Sequence, residues 1–388
     1  MESFRLPIGF SASGISAGLK PGGAPDMALF YSDRPCSGAA VFTRNRVVAA
    51  PVRHGQALLK RARDRLRAVV INSRNANAVT GEQGLKDARR MADLTAAALD
   101  LPPESDVFVM STGVIGTPMP MEKIEAGIRL AAAALSPQAG PLAAAAIMTT
   151  DTRPKMASRR CGELTLSGVA KGAGMIHPDM ATMLVVLMTD AAIGPRELEL
   201  WLTEAVDRSF HCITVDGDTS TNDTCLLLAN GAARAPDPPV FQQALIELCQ
   251  DLARQIAFDG EGAEHRLTLV VRGAPDFAAA RSIGRTVATS PLVKTAIFGR
   301  DANWGRILAA AGRSGVEFDP EQCSLRFAGL EVLRQGVPQP VDETLAVELL
   351  SRPDVEVVLE VGTGPGEATV WSCDLTPEYI RINAEYRT

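Results

Sequence analysis

The sequence predicts a mixed fold of the α/β (α+β) kind, and three observations carry that expectation. Strand-like runs alternate with amphipathic stretches: 67–72 is short and β-branched, 84–99 repeats its apolar residues at helical spacing, and 106–110 is again strand-like. Met183 to Met188 is an unbroken apolar run of six, the length and composition of a strand buried on both faces. The chain has 388 residues, of which 46% are hydrophobic and 22% charged, enough for two or three globular domains with ample core.

Composition also excludes function classes. The net charge is −6 and no long basic run occurs, so nucleic acid is not an expected partner. The seven cysteines form no CxxC pair; they read as buried thiols in a reducing compartment, not as a disulfide framework or a zinc site. No apolar stretch approaches the ~18–20 residues needed to span a bilayer. The first residues, Met1-Glu2-Ser3-Phe4-Arg5, lack the layout of a secretion signal. The expected location is the cytoplasm.

Taken in order, 1–52 is Gly-rich with short strands expected at 27–31 and 39–43, and 54–65 is helical with Leu58, Leu59 and Ala62 on one side. The strand at 67–72 runs into Ser73-Arg74-Asn75-Ala76-Asn77-Ala78, a polar loop at a strand end, where α/β folds place chemistry; an Asn-rich surface turn is the alternative. The helix at 84–99 stops at Pro102-Pro103, and the strand at 106–110 ends in Ser111-Thr112-Gly113. Ala-rich packing helices follow at 122–135 and 141–147, then a polar cluster, Thr149-Thr150-Asp151-Thr152.

Beyond the apolar run, 195–210 reads as a core-facing helix. Residues 216–224 are dense in Asp, Thr and Asn but lack the spacing and closing Glu of a calcium loop; the expectation is a network tying down backbone amides, with no metal. The helix at 241–258 breaks at Asp259-Gly260-Glu261-Gly262, leaving an acid between two glycines. Trp304 reads as a packing residue, not a catalytic one. From Cys323 onward short strands and Gly turns suggest a smaller α+β tail, and Gly362-Thr363-Gly364-Pro365-Gly366 between two strands reads as a hairpin turn, not a phosphate loop.

The chain is organised around residues 171–191, KGAGMIHPDMATMLVVLMTDA. A cationic Gly loop, Lys171-Gly172-Ala173-Gly174, leads to Ala181-Thr182 at the mouth of the apolar strand. A hydroxyl there is held rigidly behind and open in front. As a chain terminus it would also carry a free α-amino group beside its own oxygen.

This segment resembles the self-cleavage segment of the ornithine acetyltransferase (glutamate N-acetyltransferase) family of arginine biosynthesis, and further matches run along nearly the whole chain. The resemblance implies a layered helix–sheet–sheet–helix sandwich, of the type shared with self-cleaving aminopeptidases, and a smaller C-terminal α+β domain. Cleavage between Ala181 and Thr182 would give an alpha chain, 1–181, and a beta chain whose 182–285 completes the sandwich and whose 286–388 forms the smaller domain. Thr182 would be the nucleophile, and Thr112 and Gly113 the oxyanion hole. Thr149 (favoured over Thr150), Lys171, Thr182, Glu261, Asn383 and Thr388 would touch substrate. Family chains usually carry Gly where Arg74 stands; an arginine is incompatible with a tight φ > 0 turn, so a reshaped loop is expected.

The implied reaction moves an acetyl group from N2-acetylornithine to glutamate through an acetyl-threonine, with ping-pong kinetics and no cofactor. Two alpha and two beta chains would form a heterotetramer. Three alternatives remain at this point: a self-cleaving aminopeptidase passing the acyl group to water, a secondary-metabolism paralogue with another donor or acceptor, and a catalytically inactive binding protein for arginine-pathway amino acids.

Overall fold

The computed structural model describes residues 4–103, 106–177 and 183–385. Ala181, Thr182 and Thr388 lie outside the described residues. In chain order the strands are β1 (Phe10–Ile15), β2 (Met27–Phe42), β3 (Leu66–Asn72), β4 (Asp106–Ser111), β5 (Lys155–Cys161), β6 (Leu164–Lys171), β7 (Leu184–Thr189), β8 (Thr224–Ala229), β9 (Arg266–Ala274), β10 (Ser324–Phe327), β11 (Leu330–Arg334), β12 (Val337–Pro338), β13 (Asp354–Glu360) and β14 (Gly366–Cys373). The α-helices are α1 (Ala50–Arg61), α2 (Gly81–Ala98), α3 (Met121–Ala133), α4 (Gly140–Ala146), α5 (Pro195–Asp207), α6 (Pro238–Ala257), α7 (Phe277–Ala288), α8 (Pro291–Phe298), α9 (Trp304–Gly312), α10 (Glu343–Leu350) and α11 (Pro377–Glu385).

The first eight strands form one sheet, ordered β4-β3-β2-β8-β7-β6-β5 with β1 beside β2. Strand β2 folds it in two. Its first part pairs with β1 and β3, its last part with β8, and the register shifts between Tyr31 and Cys36. The sequence suggested two separate strands here. A single long strand replaces them because the irregularity at 32–36 turns the chain without ending the ladder. The parallel pairs β3–β4 and β7–β8 have α2 and α5 as their crossovers.

Alternation along the strands sets the layers. Leu184, Val186, Met188, Leu226 and Leu228 turn one way, into a core shared with Phe30, Ile71 and Met110 of the other half-sheet. Val185, Leu187, Cys225 and Leu227 turn the other way, onto α5 and α6. On the opposite outer face Met27, Leu29, Val70 and Val109 pack on α2 and α3. The result is the expected helix–sheet–sheet–helix sandwich, and β7 is buried on both faces as its composition required.

A second sheet, β12-β11-β10-β13-β9-β14, has its own core with α7 and α9. It draws in β9 and α7, so the boundary expected at 285/286 falls inside α7. The glycine-rich 362–366 segment is not a hairpin turn. Strand β9 lies between β13 and β14, parallel to the first and antiparallel to the second. The link must cross the end of β9 at backbone contact, and a Cβ at Gly364 or Gly366 would overlap the main chain of Ala274 or Asp276. All seven cysteines are free and buried, and no helix among the described residues is long and apolar enough to cross a membrane.

Because Leu187 is fully buried between β7 and the α5/α6 layer, Leu187→Ala should lower the unfolding free energy by about 3 kcal/mol. A chemical denaturation curve within about 1 kcal/mol of wild type would contradict that placement.

Candidate active site

The carboxyl ends of β3 and β4, the end of β6 and the starts of β7 and β8 meet at one edge of the sandwich. Buried asparagines tie these ends together. Asn72 accepts from the Ser111 hydroxyl (2.6 Å) and donates to Asn75 O (2.9 Å), while Asn222 donates to Ala76 O (2.6 Å) and Ser111 O (2.9 Å). The polar loop after β3 is thus a hydrogen-bonded wall and not a solvated surface turn, and its Ala76 lines the adjoining cavity.

A cavity opens against that wall. Thr112, Gly113, Thr149, Lys171, Glu261 and Asn383 all line it, drawn together from five separate parts of the chain. The remaining nominated residues, Ala181, Thr182 and Thr388, fall outside the described residues, but β7 begins two residues after Thr182 with Leu184 at the same edge. Both Thr149 and Thr150 reach the cavity.

Thr112 is buried, and its N–H donates to Asn72 O (3.0 Å), while none of the hydrogen bonds among the described residues uses its hydroxyl. Gly113 has φ +133°, and a Cβ there would overlap the main chain of Arg74. The two turns are therefore in backbone contact. Arg74 itself adopts φ +74°, the left-handed region. This corrects the expectation of a reshaped loop: the tight turn persists with an arginine in it, at a cost of about 1–2 kcal/mol relative to glycine-like freedom.

Lys171, at the end of β6, is 2% exposed and lines the cavity. Burial pushes its ammonium down from the ordinary lysine range, against the opposing pull of Asp151, Asp223 and Glu261; neighbouring Lys155 adds to the lowering. Glu261 accepts from Asn383 Nδ2 (2.8 Å), and its N–H donates to Ala173 O (2.9 Å). Its carboxylate lies against Gly174, where any Cβ would collide with it. That contact explains why a glycine and an acid, far apart in sequence, occur together.

Beneath the cavity sits a buried ionic cluster. Lys155 Nζ bonds Asp151 Oδ1 and Asp259 Oδ2, each at 2.6 Å. Asp151 also accepts the N–H of Gly172 (2.6 Å) and of Thr149 (2.9 Å), and Asp259 accepts from the N–H (3.0 Å) and hydroxyl of Thr152. Burial alone would raise the Asp151 carboxyl, but the ammonium groups of Lys155 and Lys171 and the Gly172 N–H outweigh it and hold it well below the usual range.

Sequence reasoning treated 216–224 as a tie between loops, and so it is. Asp216 accepts the N–H groups of Met175 (2.5 Å), Ile176 (2.8 Å) and Asp218 (3.2 Å), and Thr219 Oγ1 donates to His177 O (3.1 Å). What that reading missed is that Asp216, Asp218, Ser220, Thr221 and Asn222 also line the cavity. Tyr379 was missed too. It donates to Asp216 Oδ2 (3.3 Å), and burial together with Asp216 and Glu261 raises its phenol. Its i, i+4 spacing from Asn383 was the available signal.

Chemically the cavity carries both charges: the Lys171 ammonium, the carboxylates of Asp216, Asp218 and Glu261, and hydroxyls and amides all line it. Such a site suits a small zwitterion carrying a second charge.

Comparisons with known proteins agree with the resemblance read from the motif. The family model described as the ArgJ family matches residues 11–388. The arginine biosynthesis bifunctional protein ArgJ of Symbiobacterium thermophilum is 50% identical over 398 residues, covering 98% of each chain. The mitochondrial protein of the same name from Sordaria macrospora is 47% identical, covering 100% of this chain and 90% of its own. The crystal structure of the Bacillus halodurans ArgJ aligns with a TM-score of 0.50 at 40% identity, covering 52% of this chain and 98% of that one.

Lys155→Met should leave two buried carboxylates without their shared cation and cost about 3–5 kcal/mol. The folded Asp151 carboxyl is depressed below its unfolded value of about 3.9, so its contribution is complete above that pH and is lost as pH falls through the folded value. The variant should therefore lose less further stability on acidification below about pH 4 than wild type; parallel acid titrations of the two melting temperatures would refute this.

Proposed function

The chain belongs to the ArgJ family, and from that membership and the cavity at the sandwich edge we propose that it is an acetyltransferase of arginine biosynthesis that moves the acetyl group of N2-acetylornithine to glutamate. The observation that carries this reading is the gathering of Thr112, Gly113, Thr149, Lys171, Glu261 and Asn383 around one cavity. The relatives' names call them bifunctional proteins of arginine biosynthesis; for this chain the two activities proposed are glutamate N-acetyltransferase and amino-acid N-acetyltransferase.

The Thr182 hydroxyl attacks the acetyl carbonyl while its own α-amino group takes the proton. An α-amino pKa of about 7.7–8 leaves a useful neutral fraction near pH 7.5. The Thr112 hydroxyl and the Gly113 N–H face the developing oxyanion, each donor contributing on the order of 3–4 kcal/mol in comparable sites. The carbon–nitrogen bond breaks, the proton passes to the departing amine, and ornithine leaves. Glutamate enters and takes the acetyl group by the reverse sequence. Lys171 serves the substrate α-carboxylate, Glu261 the terminal ammonium of ornithine, and Thr149, Asn383 and Thr388 the remaining polar groups.

Self-cleavage uses the same parts. Thr182 Oγ attacks the Ala181 carbonyl, the resulting ester is opened by water, and the α-amino group is released. The burial of β7 between two layers keeps the fragments together, and two of each would make the heterotetramer. The cytoplasm is the proposed site of action.

Denatured mass spectra should show wild type as fragments of 181 and 207 residues and Thr182→Ala as one chain of 388. Only the former should transfer labelled acetyl to glutamate. A wild-type chain that stays whole yet exchanges at full rate would overturn the proposal. Glu261→Gln should raise KM for acetylornithine about tenfold or more, from loss of a charged hydrogen bond.

A further inference from the structure

Helix α11 brings two residues to the cavity, Tyr379 and Asn383, one turn apart on the same face. It has nine residues and none of them is buried, so apolar packing does not set its position, and a helix this short does not hold its shape alone. Its start is anchored. The Thr376 hydroxyl donates to Gly262 O (2.7 Å), and a Cβ at Gly262 would overlap the Tyr379 nitrogen. Beyond that first turn, Tyr379 and Asn383 tie the helix to the cavity wall.

The two ties belong to one ring. The Tyr379 hydroxyl donates to Asp216 Oδ2 (3.3 Å), and the same carboxylate accepts the N–H groups of Met175 (2.5 Å) and Ile176 (2.8 Å). Asn383 Nδ2 donates to Tyr379 O (3.0 Å) and to Glu261 Oε2 (2.8 Å). Both partners accept, which decides which end of the Asn383 amide faces them. The Glu261 carboxylate in turn lies against Gly174, the neighbour of Met175. The circuit therefore runs from Glu261 through Asn383, Tyr379, Asp216 and the 174–176 main chain back to Glu261. Burial, then the charges of Asp216 and Glu261, push the Tyr379 phenol up from its ordinary value, so it stays a donor near neutral pH.

We propose that Tyr379 is the positioning residue behind the preference for a donor with a terminal ammonium: its hydroxyl, clasped on Asp216, holds α11 so that Asn383 keeps the Glu261 carboxylate in place at the cavity. The proposal rests on reading Glu261 as the ligand of that ammonium. Asn383 is the only side chain among the described residues that donates to the Glu261 carboxylate. Removing the phenolic oxygen leaves Asn383 on a helix that no buried side chain holds, while Asp216 keeps its N–H donors and the Gly loop keeps its shape. Tyr379→Phe thus loosens one carboxylate and spares the rest of the cavity.

The test compares two acetyl donors, N2-acetylornithine and N2-acetylnorvaline, which share a side-chain carbon skeleton and differ by the terminal ammonium. With glutamate as acceptor, Y379F should lower the preference for acetylornithine about fivefold, the equivalent of about 1 kcal/mol. The loss should appear as a higher KM for acetylornithine, with kcat and the KM for acetylnorvaline within about twofold of wild type. A preference equal to that of wild type overturns the proposal, and so does an equal rise of KM for both donors, the mark of a general loosening. Glu261→Gln should abolish the preference, and adding Y379F to it should change nothing further, because the phenol acts through that carboxylate. Additive losses in the double variant overturn the proposal. A Glu261→Gln enzyme that keeps the full preference sinks the reading of Glu261 itself, which separates that failure from the failure of Tyr379.

Discussion

The buried ammonium of Lys155 holds the floor of the cavity, because the two carboxylates it neutralises are each bonded to a different wall. Asp151 receives the N–H groups of Thr149 and Gly172, and Asp259 receives Thr152. Residues 149–152, the Gly loop after β6 and the turn carrying Glu261 are thereby fixed to one another. None belongs to a helix or strand that could fix it otherwise. In a low-dielectric setting an ionic cluster of this sort contributes geometry more than net stability, since desolvation offsets much of the attraction.

The sandwich supplies what that cluster cannot. Strands β7 and β8 are apolar on both faces, so their polar chemistry can only occur at their ends. Those ends coincide with the ends of β3, β4 and β6, and the buried asparagines Asn72, Asn75 and Asn222 satisfy the main-chain groups released there. Every carbonyl so satisfied is one fewer buried polar group without a partner. The outcome is a concave edge lined by both Lys171 and Glu261.

The Arg74–Gly113 contact shows how tightly that edge is built. Two turns meet backbone to backbone, and the glycine is obligatory on one side only. On the other, an arginine tolerates the left-handed conformation because the surrounding hydrogen bonds, including Val114 N to Arg74 O (3.2 Å), over-determine it. A residue type expected to exclude a conformation was overruled by its neighbours.

Local pattern by itself determined strands such as 67–72 and 106–110, helices such as 84–99 and 241–258, that β7 is buried on both sides, and that the thiols are buried. Those features follow from period and composition within a dozen residues, which is why they are legible without a fold. The long motif at 171–191 likewise identified the family. Tertiary structure alone decided the rest. It merged two expected strands into β2, placed β9 between β13 and β14, and brought Asp216, Asp218 and Tyr379 to the same cavity as Lys171. The pairing of Gly174 with Glu261 was equally invisible beforehand. Such relations depend on which chain ends meet in space, and sequence separation carries no information about that meeting until the two half-sheets have closed on each other.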